Sequence, residues 1–330
     1  MFDFEDIKGN TGLVNNLRSA IENKRVNHAY IFDGAAGSGK LMLAKTFAKT
    51  LNCVEGGSKP CNKCKSCISF DSDNNPDIIY VREDDGKNIK VDTVREKINR
   101  EINIKPYSYK YKIFIIEHGD TMNVQAQNAF LKTLEEPPEY GIFLITCRNY
   151  NKFLVTILSR CILFRMKPLT PMEIQHYLIS RLGVDNAEAE VLAHYGQGSI
   201  GRAVELNNSE EFKAMADKAL ETAVSLDDLD LINMYKTTDA LKEYNGDIDL
   251  FLELLYMTFR DALLINTIGN NDRVIQKNHL KELTQIADMG QKRLIRCCDS
   301  INYARNRLNL KGDFQFTIEE LFFNLKEKDR

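Results

Sequence analysis

The fold is decided by Asp33-Gly34-Ala35-Ala36-Gly37-Ser38-Gly39-Lys40-Leu41, a glycine-rich stretch that matches a phosphate-binding loop except at its last position. Such a P-loop reads G-x-x-x-x-G-K-[ST]. Its backbone N–H groups and the N-terminus of the next helix surround the phosphates, its Lys contacts the β and γ oxygens, and its Ser or Thr hydroxyl holds Mg²⁺. Leu41 has no hydroxyl, so the sequence predicts a P-loop that lacks one metal ligand.

The segments on either side support this interpretation. A short apolar run, His28-Ala29-Tyr30-Ile31-Phe32, is typical of a buried parallel strand, and apolar residues at helical spacing follow the loop. A glycine-rich turn without a ligand is the alternative. The sequence leaves open whether ATP or ADP binds, because backbone amides bind phosphate even where a metal ligand is missing. We expect a degenerate nucleotide site at Gly34, Gly37, Ser38, Gly39 and Lys40.

Composition places the chain among ordinary globular proteins. It has 330 residues, 43% of them hydrophobic and 28% charged, which predicts two or three domains. The formal net charge of −3 provides no globally basic surface, so any DNA contact needs a local patch or an assembly. We interpret Lys105, Lys110 and Lys112 as a solvated rim rather than a DNA track.

No apolar stretch is long enough to span a bilayer and the N-terminus is acidic, so we expect a cytoplasmic protein with no membrane partner.

Four of the eight cysteines are clustered. They form a C-x7-C-x2-C-x2-C pattern at Cys53, Cys61, Cys64 and Cys67. Four thiolates at this spacing suit tetrahedral zinc, and a closed four-cysteine site is structural because no position remains for water. Two disulfides, unusual in a reducing compartment, or an iron–sulfur cluster are the alternatives. The pattern favours a single structural zinc ion in each chain.

Strand-like runs alternate with helical segments as far as residue 166. After the cysteines these runs are Asp77–Val81, Lys112–Glu117, Ile142–Thr146 and Ile162–Arg165. Such alternation predicts an α/β fold in which helices cover a parallel sheet. Beyond Pro168 the strand signals end, and amphipathic segments such as Asp249–Ile265 predict an all-α remainder.

The run that ends at Glu117-His118 stands where a P-loop ATPase carries an Asp-Glu pair. In that pair the Asp helps to hold Mg²⁺ and the Glu polarises the attacking water. Glu117 keeps the charge on a longer side chain, whereas His118 replaces the second carboxylate. A histidine can act as a base, although a solvated or packed His118 is the more ordinary interpretation. Together with Leu41, these two changes predict lost or greatly weakened hydrolysis.

An arginine precedes the last predicted strand, in Thr156-Ile157-Leu158-Ser159-Arg160-Cys161. This end of the strand lies at the sheet edge opposite the P-loop, so Arg160 reaches a neighbouring subunit's nucleotide more easily than its own. A guanidinium supplied in trans stabilises charge on a transferring phosphoryl group, which is the role of an arginine finger. A surface ion pair is the alternative.

Three further motifs complete the pattern: His28-Ala29-Tyr30, Gln127–Pro138 and Gly198-Ser199-Ile200-Gly201-Arg202. Together with the P-loop, the four-cysteine insert and Ser159-Arg160-Cys161, they closely resemble the motifs of the bacterial clamp-loader AAA+ subunits. The resemblance covers about residues 1–206, and the three changed positions fit the family's delta-prime type better than its gamma/tau ATPase type. The motif at 198–202 matches the sensor-2 helix of the family and adds Arg202 to the nucleotide site.

The resemblance implies three domains and a hetero-oligomeric partner set. The domains are an AAA+ P-loop domain at 1–167 with a zinc module at 53–67, a helical lid at 168–208, and a helical collar at 209–330. The implied partners are the gamma/tau and delta subunits of DNA polymerase III, the sliding clamp, and primer-template DNA reached through the assembled complex. A delta-prime subunit acts as a stator that offers Arg160 to the adjacent ATPase site during DNA replication.

Two other functions stay open on the sequence alone. One is an active clamp-loader ATPase of the gamma/tau type, which the changes at Leu41, Glu117 and His118 oppose. The other is a zinc-containing, nucleotide-binding scaffold outside replication. Assembly with clamp-loader partners distinguishes these functions.

Overall fold

The computed structural model describes residues 3–83, 88–228, 230–242, 246–269 and 273–327. The chain forms two compact units, Met1–Ile174 with Gly196–Ala203, and Gln175–Tyr195 with Val204–Arg330. We refer to them as unit 1 and unit 2. Among the described helices, none has both the length and the apolar character needed to cross a bilayer.

Unit 1 contains a five-stranded sheet. The strands are β1 Ala29–Asp33, β2 Ile78–Val81, β3 Lys112–Ile116, β4 Gly141–Cys147 and β5 Ile162–Arg165. Their order is β2-β3-β4-β1-β5, and every neighbouring pair is parallel. The prediction of an α/β fold built on a parallel sheet is therefore confirmed.

Helices cover both faces of the sheet, which explains why its central strands are apolar at nearly every position. Side chains alternate along β1: Tyr30 and Phe32 pack in one core cluster, whereas Ala29 and Ile31 pack in the other. The α-helices up to residue 177 are α1 Thr11–Glu22, α2 Lys40–Leu51, α3 Lys65–Asp71, α4 Val91–Val94, α5 Val124–Glu135, α6 Val155–Leu158 and α7 Pro171–Tyr177. A π-helical turn, Arg95–Arg100, continues α4.

In the described residues after Arg165 the structure has only helices, turns and loops, as the sequence predicts. A second π-helical turn, Leu178–Leu182, follows α7. The remaining helices are α8 Asn186–Tyr195, α9 Ile200–Asn207, α10 Glu210–Val224, α11 Leu231–Leu241, α12 Ile248–Ile268, α13 Leu280–Ala287, α14 Gln291–Asn309 and α15 Phe314–Lys326. Within unit 2 the long helix α12 packs against α10, α13 and α14.

One of the three predicted rim lysines is not at the surface. Lys112 begins β3 and is only 4% exposed, and its ammonium donates to the backbone oxygen of Glu101 at 2.7 Å and to the carboxylate at 3.0 Å. The interpretation of Lys112 as a solvated rim residue is therefore wrong. Because helices cover both faces of the sheet, a side chain at the start of β3 points into the protein on either face, and Glu101 neutralises the charge of Lys112.

The topology brings the carboxyl ends of β1, β3 and β4 to one edge of the sheet. The P-loop follows β1, and Gly34 donates its N–H to the Cys147 oxygen at the end of β4 over 3.2 Å. His118, after β3, donates its backbone N–H to the hydroxyl of Thr146 at 3.3 Å. These loops form the first candidate site, while Arg160 precedes β5 at the opposite edge.

Candidate functional site

The P-loop has the backbone geometry that phosphate binding requires. Gly37 and Gly39 have φ angles of +68° and +83°, a region in which a side chain is strained. Lys40 is the first residue of α2, so the free N–H groups at this helix end lie beside the loop. Gly34, Gly37, Ser38, Gly39 and Lys40 thus lie together, as the sequence predicts.

The hydroxyl group of Ser38 gives a second indication of a phosphate-binding site. Its hydroxyl oxygen is buried, and no hydrogen-bond partner reaches it among the residues that the structure describes. A buried polar atom without a partner is costly, and a bound phosphate oxygen is a suitable partner. The residues present therefore fit the phosphate part of a nucleotide.

The ammonium of Lys40 is held at the loop. The residue is 6% exposed, and its ammonium donates to the backbone oxygen of Ala35 at 2.8 Å. Burial lowers the pKa of Lys40 and the positive charge of Arg148 lowers it further, while carboxylates, including that of Asp120, act in the opposite direction. A phosphate at this place would stabilise the charged form of the lysine.

The metal-binding part of a nucleotide site lacks one ligand. Leu41 occupies the position of the hydroxyl ligand, and its partly buried side chain packs against the core cluster that contains Leu43 and Phe47. An apolar side chain in that contact offers no oxygen to Mg²⁺. The structure therefore separates the two functions of the loop: the phosphate cradle is kept and one metal ligand is replaced by core packing.

Glu117 and His118 differ in their surroundings. The Oε1 atom of Glu117 lies 3.7 Å from a guanidinium nitrogen of Arg82, and it is buried without a hydrogen-bond partner among the described residues. His118 adopts a left-handed backbone conformation, φ 53° and ψ 45°, and its side chain is exposed. An exposed imidazole lacks the fixed orientation that a general base needs.

Asp120 is a buried acid at this edge that the sequence analysis missed. It is 7% exposed, one of its carboxylate oxygens lies 4.0 Å from the ammonium of Lys152, and the other is buried without a hydrogen-bond partner among the described residues. The signal in the sequence is no more than an acid three residues after Glu117. The carboxylate of Asp120 acts on the charge of Lys40, whose pKa it raises.

Arg202 lies next to the P-loop within unit 1. Its backbone N–H donates to the Ser199 hydroxyl at 3.0 Å, and its guanidinium donates to the side chain of Gln197 at 2.8 Å. The first turn of α9 touches the loop directly, because Gly201 donates its backbone N–H to the Gly37 oxygen over 3.2 Å. The structure thus brings the backbone next to Arg202 into contact with the P-loop, while its guanidinium binds Gln197.

Arg160 is separate from that site, at the opposite edge of the sheet. Its guanidinium donates to a Glu135 carboxylate oxygen at 2.9 Å and to the backbone oxygen of Thr156 at 2.9 Å. About a third of its side chain, 34%, remains exposed. In the isolated chain Arg160 therefore makes the ion pair that was the alternative interpretation, yet it stays accessible to a partner.

The four predicted cysteine ligands meet at one point. Their sulfur atoms all lie within 4.8 Å of one another, and the sulfurs of Cys61 and Cys67 are 4.0 Å apart. Tetrahedral zinc with Zn–S bonds of ~2.3 Å places its sulfurs ~3.8 Å apart. All four are free thiols rather than two disulfides. The donor set and its spacing therefore fit a single ion such as zinc.

Backbone N–H groups point at these sulfurs. Cys61 donates to the sulfur of Cys53 at 3.4 Å, and Cys64 donates to that of Cys61 at 3.3 Å. Burial raises the pKa of the Cys64 thiol, but N–H groups of Cys67 and Val54 outweigh this and lower it to about 6. Burial raises the pKa of the Cys53 and Cys67 thiols, so Cys64 is the ligand whose surroundings favour a thiolate, the form that binds metal.

Comparisons with known proteins agree with this architecture. Residues 9–170 match the family model described as DNA polymerase III, delta subunit. The chain is 31% identical over 316 residues to DNA polymerase III subunit delta' of Bacillus subtilis, with 94% of each chain covered. It is 34% identical over 254 residues to subunit tau/gamma of Haemophilus influenzae, covering 74% of this chain but only 36% of that protein. The chain thus spans about a third of the tau/gamma relative and almost all of the delta' relative.

Among solved structures, one similar chain is a DNA polymerase III gamma subunit-related protein from Thermotoga maritima. The two share 17% sequence identity, 96% of this chain and 99% of that chain are covered, and the TM-score is 0.43.

Proposed function

Because the chain belongs to the family of DNA polymerase III clamp-loader AAA+ subunits, we propose that it is the delta-prime-type subunit of such a complex. In this role it helps to load the sliding clamp onto primer-template DNA during replication in the cytoplasm. It assembles with gamma/tau and delta subunits and acts as a stator with little or no ATPase activity. The proposal includes the division into a P-loop domain, a lid at 168–208 and a collar at 209–330.

One observation carries the choice of the delta-prime type: Leu41 is packed against the core where an active P-loop presents a metal-binding hydroxyl. Glu117 faces Arg82, and His118 is exposed, so the second acidic motif supplies no oriented base either. Phosphate binding at the loop survives in this proposal, and the energy of ATP hydrolysis comes from neighbouring subunits.

Arg160 supplies the catalytic contribution of this subunit. It lies at the sheet edge remote from its own P-loop and 34% of its side chain is exposed, so an adjacent nucleotide can reach it. A guanidinium is suited to stabilise the charge that develops on a transferring phosphoryl group. We propose Arg160 as an arginine finger in trans.

The four-cysteine cluster is proposed to hold one structural zinc ion per chain. Its free thiols, mutual spacing and N–H···S hydrogen bonds fit a closed tetrahedral centre. Such a centre leaves no open position for catalysis, so the ion stabilises the segment and takes no part in hydrolysis.

Assembly is the experiment that tests the function. The chain is mixed with gamma/tau and delta subunits and run on a sizing column, and it should elute in a stoichiometric complex with them. A chain that stays separate from those subunits would contradict the clamp-loader role. Within the assembled complex, Arg160→Ala should abolish ATP hydrolysis at the adjacent site, whereas hydrolysis that depends on Lys40 would favour the gamma/tau type instead.

A further inference from the structure

Lys49 is a buried charge that the P-loop chemistry does not use. It lies in the last turn of α2, and its side chain is 0% exposed. Its ammonium donates to both carboxylate oxygens of Asp71 at 2.8 Å and to the side-chain oxygen of Asn62 at 2.6 Å. These three acceptors match the three N–H bonds of an ammonium group.

Both partners belong to one short stretch, residues 53–71, which we call the four-cysteine segment. Asn62 lies between Cys61 and Cys64, and it has a left-handed backbone with φ +59° that asparagine tolerates. Asp71 is the last residue of α3, the helix that begins directly after Cys64. Lys49 thus touches the segment both inside the cysteine turn and at the end of its helix.

We propose that Lys49 is a positioning residue that couples the four-cysteine segment to α2, so that metal retention and the order of the end of α2 depend on each other. The proposal rests on the zinc site proposed above and does not depend on the clamp-loader role. A metal that fixes the Cys61–Cys64 turn also fixes Asn62, and Asn62 together with Asp71 holds the ammonium.

Burial of the charge makes this coupling strong. An ammonium that loses its partners inside a protein is strongly unfavourable, so disorder of the four-cysteine segment forces α2 to expose Lys49 or to unwind its last turn. By thermodynamic linkage the reverse also holds: loss of the Lys49 contacts loosens the cysteine turn. Partners that orient metal ligands typically change metal affinity about 10–100-fold when they are removed.

Zinc transfer to a chromogenic chelator tests the proposal on the full chain. The Lys49→Met variant should release zinc about 10–100-fold faster than the parent chain. Lys65→Met is the matched control, because Lys65 is exposed and directly follows the ligand Cys64. As a surface substitution it should change the rate by no more than about twofold.

Hydrogen exchange supplies a readout that a general loss of stability does not mimic. In the parent chain, removal of zinc should lower the protection of amides in residues 46–51, whereas in Lys49→Met, which has no buried charge to leave unpaired, the protection should be the same with and without zinc. If Lys49→Met does not fold, Asn62→Gly removes one acceptor, keeps the left-handed backbone, and should also speed release. Equal release rates in the parent and variant chains overturn the coupling, while a parent chain without zinc overturns the zinc site itself.

Discussion

Arg160 and Glu135 form a hydrogen-bonded ion pair of 2.9 Å that joins two of the sequence motifs, Ser159-Arg160-Cys161 and Leu134-Glu135-Glu136-Pro137-Pro138. Glu135 ends α5, and Arg160 follows α6, so the pair lies at the sheet edge away from the P-loop. The side chains are 34% and 51% exposed. In the proposed complex, the carboxylate competes with the neighbouring nucleotide for the guanidinium.

Glu135→Gln should therefore change catalysis on the partner subunit. Exposed ion pairs are worth about 0.2–1 kcal/mol, so release of Arg160 should raise ATP hydrolysis at the adjacent site by about 1.5- to 5-fold. The measurement is steady-state ATPase activity of the reconstituted complex, with Arg160→Ala as the reference for a missing finger. If Glu135→Gln leaves the activity unchanged and Arg160→Ala greatly lowers it, Arg160 is an arginine finger but Glu135 does not compete for it.

The isolated chain should hydrolyse ATP negligibly, because Leu41 offers no metal ligand and His118 is exposed. It should still bind ADP or ATP through the loop amides and Lys40, as measured by isothermal titration calorimetry. Lys40→Ala should weaken that binding without changing the background hydrolysis. Robust turnover that disappears in Lys40→Ala would contradict the assignment as a stator.

Gly201 tests the contact between α9 and the P-loop. A Cβ atom at this position would lie 2.8 Å from the Cα of Gly37 and 3.0 Å from its oxygen, so Gly201→Ala forces backbone apart. We expect urea unfolding to show destabilisation of about 1–3 kcal/mol relative to Gly12→Ala. Gly12 lies in α1 with open space around it, so alanine there should stabilise the chain by about 0.4–1 kcal/mol. Equal stabilities of the two variants would mean that the P-loop backbone moves away from the added methyl group without a loss of unfolding free energy.

His28 should make the chain sensitive to mild acid. Burial lowers its pKa below the ordinary value, and its Nε2 atom is buried with no hydrogen-bond partner within the described part of the chain. Well above pH ~6.5 the His28 imidazole is neutral in both the folded and the unfolded chain. As the pH falls below this value, the imidazole of the unfolded chain binds a proton first, because its pKa is higher. Stability should therefore decrease from about pH 7 to about pH 5.5.

His28→Gln should reduce that loss, since glutamine does not titrate. The comparison is the urea midpoint of each protein at the two pH values, with His176→Gln as the control because His176 is exposed. If the urea midpoint falls equally in all three proteins, the acid sensitivity comes from other groups. One of them is His194, whose pKa burial also lowers.

The sequence predicted local elements well because their signals are local. The apolar run His28–Phe32 became β1 at Ala29–Asp33, and Ile162–Arg165 became β5 without a shift. The glycine pattern placed the P-loop, and the cysteine spacing placed four sulfurs within 4.8 Å. The prediction for Lys112 was wrong because a lysine is normally exposed, and only the tertiary structure shows that the Glu101 carboxylate binds its buried ammonium.

By itself, then, the sequence determined the parallel α/β core, the helical remainder, the loss of the hydroxyl at Leu41 and the candidate ligands, since period, residue type and spacing are properties of neighbouring residues. Only the tertiary structure decided which distant groups meet. Gly37 touches Gly201, Arg160 pairs with Glu135, and Lys49 is buried against Asp71. These contacts depend on how strands are ordered and helices packed, and that order brings together side chains that no local pattern connects.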